Sequence, residues 1–363
     1  MCTALLTAAV AVLGAVPASA AVFPVTITAD GGAGSLRDAF AQASASAEPN
    51  EIVLQPGETY VLDDCAEGDL DYTGGDPLTV TGNGSTIQQV CAGERVIETD
   101  SDITITDTTV TGGDQAGGLG GGIEADIADV TLVRSTVTDN EASTGGGVGA
   151  IRATLAESTV SGNSASSTGG GVWVDQTLEA TNSTITGNAA GSSGGGLVVV
   201  NTSITLLYVT LVDNTAPIGA NLQVQMGGDA LVSFASVLAG PMGGGADCDI
   251  DAGAVTTSQG YNFSSDSSCG FGAGPGDITN GGDPLVGALG ANGGPTPTML
   301  PQDGSPLLDK VDCAAAPEAV TTDQRGVSRP QGGACEIGAV EVGVEVVVAP
   351  PATATPARVT FTG

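Results

Sequence analysis

Gly120-Gly121-Gly122, a short apolar run, Ser135-Thr136-Val137 and then Asp139-Asn140 make up a phrase that the chain repeats three more times before it reaches Asn214. The glycine triplets begin at Gly120, Gly145, Gly169 and Gly194, in steps of 25, 24 and 25 residues. Their companions are Ser158-Thr159-Val160, Ser183-Thr184-Ile185 and, more loosely, Val209-Thr210-Leu211, and an Asn stands three residues beyond each, at Asn140, Asn163, Asn188 and Asn214. A fixed period of this length marks a solenoid, in which each repeat buries its apolar face only by stacking on the next.

Working outward, Ile52-Val53-Leu54, Leu78-Thr79-Val80, Ile103-Thr104-Ile105 and Val130-Thr131-Leu132 keep the same spacing. Leu155, Leu178, Ile204-Thr205-Leu206 and Leu231-Val232 extend the series, and the pattern decays near Ala239. Each period holds two or three short runs of alternating polarity, separated by Gly, Asn, Asp and Ser turns. A leucine-rich repeat needs a dense Leu frame and a helix, and neither is present; the Gly-Gly-x-Gly-x-Asp beat of a calcium-binding solenoid is not sustained after Gly112-Gly113-Asp114. The pattern predicts an all-β fold: a single-stranded parallel β-helix with three-sided coils, about eight of them across residues 51–259. At the usual strand spacing it forms a rod about 40 Å long.

Physical roles follow from the register. The glycines sit where the backbone needs positive φ or close approach to neighbouring coils. Val137, Val160, Ile185 and Leu211 stack inward, and Asn140, Asn163, Asn188 and Asn214 form a bonded turn ladder. Arg134 falls one coil from Glu157, followed by Asn182 and Tyr208, and the first two are expected to form a surface salt bridge.

The 363 residues carry 41 acidic and 8 basic side chains, a formal charge of −33, which excludes the basic surface that nucleic acid requires. Residues 1–20 read as an export signal: Ala4 to Val16 is almost wholly apolar and Ala18-Ser19-Ala20 is a small-residue cleavage site. The run is too short for a membrane span, so no transmembrane segment is expected in the mature chain. Cys2 precedes this run, which argues against a lipoprotein anchor. Cys65, Cys91, Cys248, Cys269, Cys313 and Cys335 remain, an even number in an exported chain and hence a disulfide framework. Six cysteines allow 15 connectivities. Neighbour pairing is the expectation, supported by the 26 residues between Cys65 and Cys91, close to one repeat.

Before the repeats, residues 21–50 hold a strand-like run and a short amphipathic helix. Ser35 is a good N-cap with Asp38 three residues on, and Leu36, Ala39, Phe40 and Ala43 share a face. Such a helix plugs the open end of a solenoid core, whose terminal edge otherwise invites pairing. Residues 260–341 change texture to Pro, Gly and Cys punctuation. There Asn292-Gly293-Gly294-Pro295-Thr296-Pro297-Thr298, Asp323-Gln324-Arg325-Gly326, Arg329-Pro330 and Cys335-Glu336-Ile337-Gly338-Ala339 occur in order. This resembles the C-terminal part of choice-of-anchor Q proteins, exported bacterial β-helix proteins. The segment from Gly34 to Phe40 is similar to the CSLREA segment found on many of them, with Gly34 in place of Cys, Asp38 of Glu and Phe40 of Ile. The glycine and Val-x-x-Asn beats also resemble the wider pectate-lyase-like superfamily. The resemblance implies right-handed coils and an extracellular address, and leaves the activity open, because this fold hosts lyases, hydrolases, adhesins and rods. Residues 342–363 read as a Pro/Thr-rich spacer, and Thr360-Phe361-Thr362-Gly363 faintly resembles the end of a sortase signal.

No catalytic, cofactor-binding or metal-ligating residue is assigned. Arg134 and Arg152 are the basic residues of the central repeats, and neither has an evident Asp cluster at a one-coil offset; Asp126 and Asp129 are the nearest thing to a carboxylate pair. Two acidic groups are candidates for Ca²⁺ but read as solvated loops: Asp63, Asp64, Glu67, Asp69, Asp71 and Asp76, and Asp247-Cys248-Asp249-Ile250-Asp251, which lacks the Gly and Glu of an EF-hand. The expected function is that of an exported, cell-surface adhesin, stalk or glycan-binding scaffold presenting polar ladders to extracellular polymers. The alternative is a polysaccharide lyase or glycoside hydrolase. Flat Thr rows binding ice or mineral are disfavoured, since outward Thr-x-Thr rows do not look sustained.

Overall fold

The computed structural model describes residues 20–225 and 231–343. The segment read as an export signal, up to residue 19, and the tail beyond residue 343 lie outside the described residues. Within them the chain winds as a parallel β-helix of about nine turns with three main faces, and four central coils add a short fourth strand, Asp114–Leu119, Glu141–Thr144, Ser164–Thr168 and Ala189–Ala190, in a small parallel sheet of their own.

The first face stacks Ala21–Pro24, Asn50–Val53, the first halves of Leu78–Gln89 and Ile103–Thr111, and the second halves of Ile123–Val133 and Val148–Ala156. Leu178–Thr181, Ile204–Leu207, Leu231–Phe234 and Thr256–Gly260 complete it. The second face runs from Thr59–Leu62 through Thr136–Thr138, Thr159–Ser161, Thr184–Thr186 and Thr210–Val212 to Val237–Ala239 and Phe263–Ser264. The third runs from Leu70–Tyr72 through Ile97–Thr99, Val172–Val174 and Leu197–Val199 to Cys248–Ile250. The strands therefore continue past Ala239, where the sequence pattern decays, and the Asn-marked phrase understates the length of the helix. Those last coils keep the strand geometry while losing the turn signals that make a coil visible in sequence.

Parallel strands alternate inward and outward side chains, so one apolar residue in two suffices for a core. Val137, Val160, Ile185 and Leu211 are in register and fully buried, as are their counterparts on the other two faces. The first glycine of each triplet has positive φ, +62° at Gly145 and +68° at Gly169. The second fails for a different reason: a Cβ at Gly170 would lie 2.4 Å from the carbonyl oxygens of Ala189 and Gly195.

The N-terminal end is closed by helix α1 (Leu36–Ser44), whose buried residues are Leu36, Ala39, Phe40 and Ala43. Ser35 accepts a bond from Asp38 N, and the Asp38 carboxylate, too short to reach Ser35 N, takes Gly34 N at 2.7 Å. At the far end Cys269 and Phe271 join the same buried cluster. A second core lies outside the coils: Leu207, Tyr208, Val212, Phe234 and Val237 pack on Met299, Leu307, Val311 and Ile337. The C-terminal region, from about residue 282 to 341, thus folds back along the rod.

Candidate functional site

Each coil turns from the first face to the second through a residue with positive φ, and here that residue is not glycine. Asn83, Asp107, Arg134, Glu157, Asn182, Tyr208, Ala235 and Tyr261 form this column, with φ between 46° and 59°. An L-residue in this conformation costs about 1–2 kcal/mol. The returning C-terminal chain makes use of several of these positions. Thr296 donates to Glu157 O at 2.9 Å, Asn182 donates to Thr322 O at 2.8 Å, and Gly338 N donates to Ala235 O at 2.8 Å. The Arg329 guanidinium lies over the Tyr208 ring and donates to Asn182 Oδ1.

Beside this corner runs a threonine row. Thr59, Thr86, Thr109, Thr136, Thr159, Thr184 and Thr210 are in register on seven successive strands of the second face. A single outward Thr row is therefore sustained, whereas the Thr-x-Thr row is not: the positions two residues on are Val61, Gln88, Thr111, Thr138, Ser161, Thr186 and Val212. The row is divided in two. Thr159 donates to Pro297 O and accepts from the Gln324 amide, Thr184 donates to Gln324 Oε1, and Thr210 accepts from Ala339 N. Thr59, Thr86 and Thr109 remain open, and the boundary is a cleft of about 230 Å³ lined by Asn83, Asp107, Thr109, Arg134, Thr136 and Pro295.

Arg134 makes a bidentate pair with Asp107, both bonds 2.8 Å, which raises its pKa. The expected partner Glu157 is only a distant charge, because the side chain turns back toward the preceding coil. Arg152 likewise pairs with Asp129 on the preceding coil, so both arginines do have an Asp at a one-coil offset, while Asp126 is solvent-exposed.

The third face carries the densest charge. Leu70 and Tyr72 point inward, so Asp71 points out; Glu98 and Glu124 follow it in register on the next two coils. Carboxylate oxygens of Asp69, Asp71 and Glu98 lie within 4.8 Å of one another. Buried Arg95 is ion-paired with Asp69 at 3.8 Å and contacts Glu98 and Glu124. Burial raises the pKa of all four carboxyls, and Asp69 adds to the effect at Asp71. Arg37, from the N-terminal helix, donates to Asp69 O at 2.6 Å and Gly68 O at 3.0 Å, which fixes the loop that presents Asp69. Glu98, Glu124 and Arg95 are absent from the sequence-derived candidates, although Asp71, Glu98 and Glu124 are separated by one repeat each. Trp173 belongs to the same outward column, one coil beyond Gly149, over which Leu119 packs. Such a group can hold a divalent cation through Asp69, Asp71 and Glu98, in competition with Arg95.

The remaining residues singled out in the sequence serve the fold. Asn140, Asn163, Asn188 and Asn214 are buried, and each side-chain amide donates to the next at 2.9–3.0 Å. Asn214 continues the chain to Asn221 and Asn221 to Asp247. Asp247 is thus fully buried at the ladder's end, with its pKa pushed up to about 6 by burial, and is not part of a solvated acidic loop. Disulfides join Cys65 to Cys91, Cys248 to Cys269 and Cys313 to Cys335.

Residues 72–233 match the family described as right handed beta helix region. That match fixes the hand of the coils. The fold is a right-handed parallel β-helix. Together with the three-faced turns this supports the pectate-lyase-like superfamily. No curated protein and no solved structure matches the chain significantly. Among the described residues no helix is long and apolar enough to cross a membrane, and three disulfides fit an oxidising, extracellular setting.

Proposed function

We propose that this right-handed β-helix is an exported, cell-surface protein that binds extracellular polysaccharide without turning it over. The observation that carries the reading is the repetition of hydroxyls on the open faces. Thr79, Thr104, Thr131 and Thr154 are in register on the first face, beside the row on the second. Hydroxyls repeated at strand spacing give a polymer the same contact many times, and repeated weak contacts add through effective concentration. The residues shared with choice-of-anchor Q and CSLREA segments support an export signal and a surface address. In this reading the C-terminal motif residues Thr296, Gln324 and Arg329 clamp the rod, and the adhesin or stalk is the rod itself.

A second reading has its own observation. Carboxyls of raised pKa beside an arginine, as in the group of Asp69, Asp71, Glu98 and Glu124 around Arg95, are the equipment of glycoside hydrolysis. A glycan array combined with a depolymerisation screen separates the two. Binding without release of shorter oligosaccharides supports the scaffold. Released reducing ends or unsaturated products, abolished by Asp69→Asn or Glu98→Gln, overturn it in favour of the enzyme.

A further inference from the structure

We infer that the cleft where the C-terminal chain leaves the threonine row is a subsite for a neutral glycan chain, which continues across Thr109, Thr86 and Thr59. This deepens the proposed function and rests on it. In the covered half of the row, the hydroxyls of Thr159, Thr184 and Thr210 each have a partner on the returning chain. In the other half, the hydroxyls of Thr59, Thr86, Thr109 and Thr136 have no hydrogen-bond partner among the described residues. Thr136 is the most enclosed of the four: the residue is 7% exposed and lines the cleft, and its hydroxyl, which solvent still reaches, has no protein partner. A hydroxyl so confined is satisfied by water or by a ligand entering the cleft.

The corner column makes the same division. Glu157, Asn182, Tyr208 and Ala235 hold the returning chain, whereas Arg134 and Asp107 face the cleft and bond only to each other. Arg134, held at φ 46° like the rest of the column, makes no bond to the returning chain, and its pair with Asp107 sets both head groups in the cleft wall.

Spacing and charge select the occupant. The threonines repeat at about 4.8 Å, whereas an extended peptide presents like-facing groups about every 6.7 Å, so a peptide loses register by about 2 Å per coil. An extended β-1,4-linked glycan advances by about one strand spacing per sugar and turns over at each step, so its like faces stay near register with every second threonine, and it brings both donors and acceptors. The formal charge of −33 repels polyuronates and other polyanions, and within the cleft Arg134 is balanced by Asp107, which favours a neutral chain there. At about 230 Å³ the cleft falls below the ~300 Å³ of a drug-sized pocket, and takes one sugar unit of a longer chain.

The test is calorimetric titration of the disulfide-intact protein with cello-, xylo- and β-1,3-gluco-oligosaccharides of increasing length, and with oligogalacturonate. Binding of a neutral series is expected to tighten with length. It should weaken at least tenfold in Thr109→Val/Thr136→Val and in Arg134→Gly, both of which leave the melting temperature nearly unchanged. Asn201→Ala, which removes an exposed bond to Asp175 outside both threonine rows, should bind as the parent does. Neutral binding that survives the cleft variants, or that is lost as fully in Asn201→Ala, overturns the site while the scaffold reading stands. Preference for oligogalacturonate, or a cleft that binds a peptide instead, overturns the glycan class. Failure of every glycan overturns both.

Discussion

The guanidinium carbon of Arg329 lies 4.0 Å from the centre of the Tyr208 ring, which joins the C-terminal region to the corner of a coil more than a hundred residues earlier. The side chain of Arg329 is fully buried, and it also bonds Glu341, Gly338 O and Asn182. Removing one partner of a buried pair leaves the other charge uncompensated, at a cost of about 3–5 kcal/mol. Arg329→Ala is expected to lose that much stability in urea denaturation and to open residues 282–341 to limited proteolysis, with the coils left intact. Arg329→Lys should recover little, because an ammonium cannot serve three acceptors and a ring face at once. A variant with parental stability and proteolytic pattern would refute the clamp.

The same latch carries a pH dependence. Glu336 is buried beside Glu341, and desolvation, then the bond to Glu341 and its charge, push its pKa up to about 9 from an ordinary 4.5. The folded state therefore binds a proton that the unfolded state releases. Stability from this group is complete below pH 4.5 and declines toward pH 9, by at most about 1.4 kcal/mol per pH unit. Asp247, raised to about 6, adds a smaller decline of the same sign between 3.8 and 6. Glu336→Gln should flatten the profile above pH 6 and leave the Asp247 segment in place. An identical slope in both proteins from pH 6 to 9 would exclude Glu336 as its source.

The architecture was legible because folding imposes a beat on every coil: glycine where a Cβ meets a carbonyl, an apolar residue inside, an amide at the turn. The outer surface is less constrained, and its one sustained beat, the threonine row, is hard to tell from the many other Thr and Ser residues of the repeats. The alignment of Ile103 with Val130 already places Asp107 one coil from Arg134, but register alone does not say whether the arginine turns toward Asp107 or toward Glu157. The refolding of the C-terminal chain did leave a trace. Outward positions change from Thr181 and Thr186 to Leu207 and Val212, then to Phe234 and Ala239, the loss of alternation expected of strands buried on both sides. Nothing in the local sequence says what covers them, since most of the cover comes from distant chain, such as Arg329 on Tyr208 and Gly338 on Ala235.

The amide ladder should behave as one unit. Asn188 is fully buried; its amide donates to Asn214, Val160 O and Thr186 O, and its oxygen accepts from Asn163. Asn188→Ala and Asn188→Leu both orphan these groups, at ~1–3 kcal/mol for each unsatisfied partner. Each is expected to cost more than about 3 kcal/mol in chemical denaturation. Asn201→Ala, which removes an exposed bond to Asp175, should cost well under 1 kcal/mol. Equal losses at the two sites would mean that the ladder adds nothing beyond an ordinary surface contact.

On the third face, Arg95 is the counter-charge that lets Asp69, Glu98 and Glu124 stand together. Replacing it by Gln leaves Asp69, Asp71 and Glu98 facing one another within the reach of a single cation. The variant is expected to melt several degrees lower in EDTA and to recover most of that loss in millimolar Ca²⁺, with the parent moving much less under the same conditions. Binding to the folded state alone stabilises by RT ln(1 + [L]/Kd), so the recovery should grow with the logarithm of the Ca²⁺ concentration. Adding Glu98→Gln to Arg95→Gln removes one of the three ligands and should abolish the recovery. If Arg95→Gln melts lower but ignores Ca²⁺, the carboxylates are held apart by the coil backbone, and the face is an ion-pair network and not a cation site.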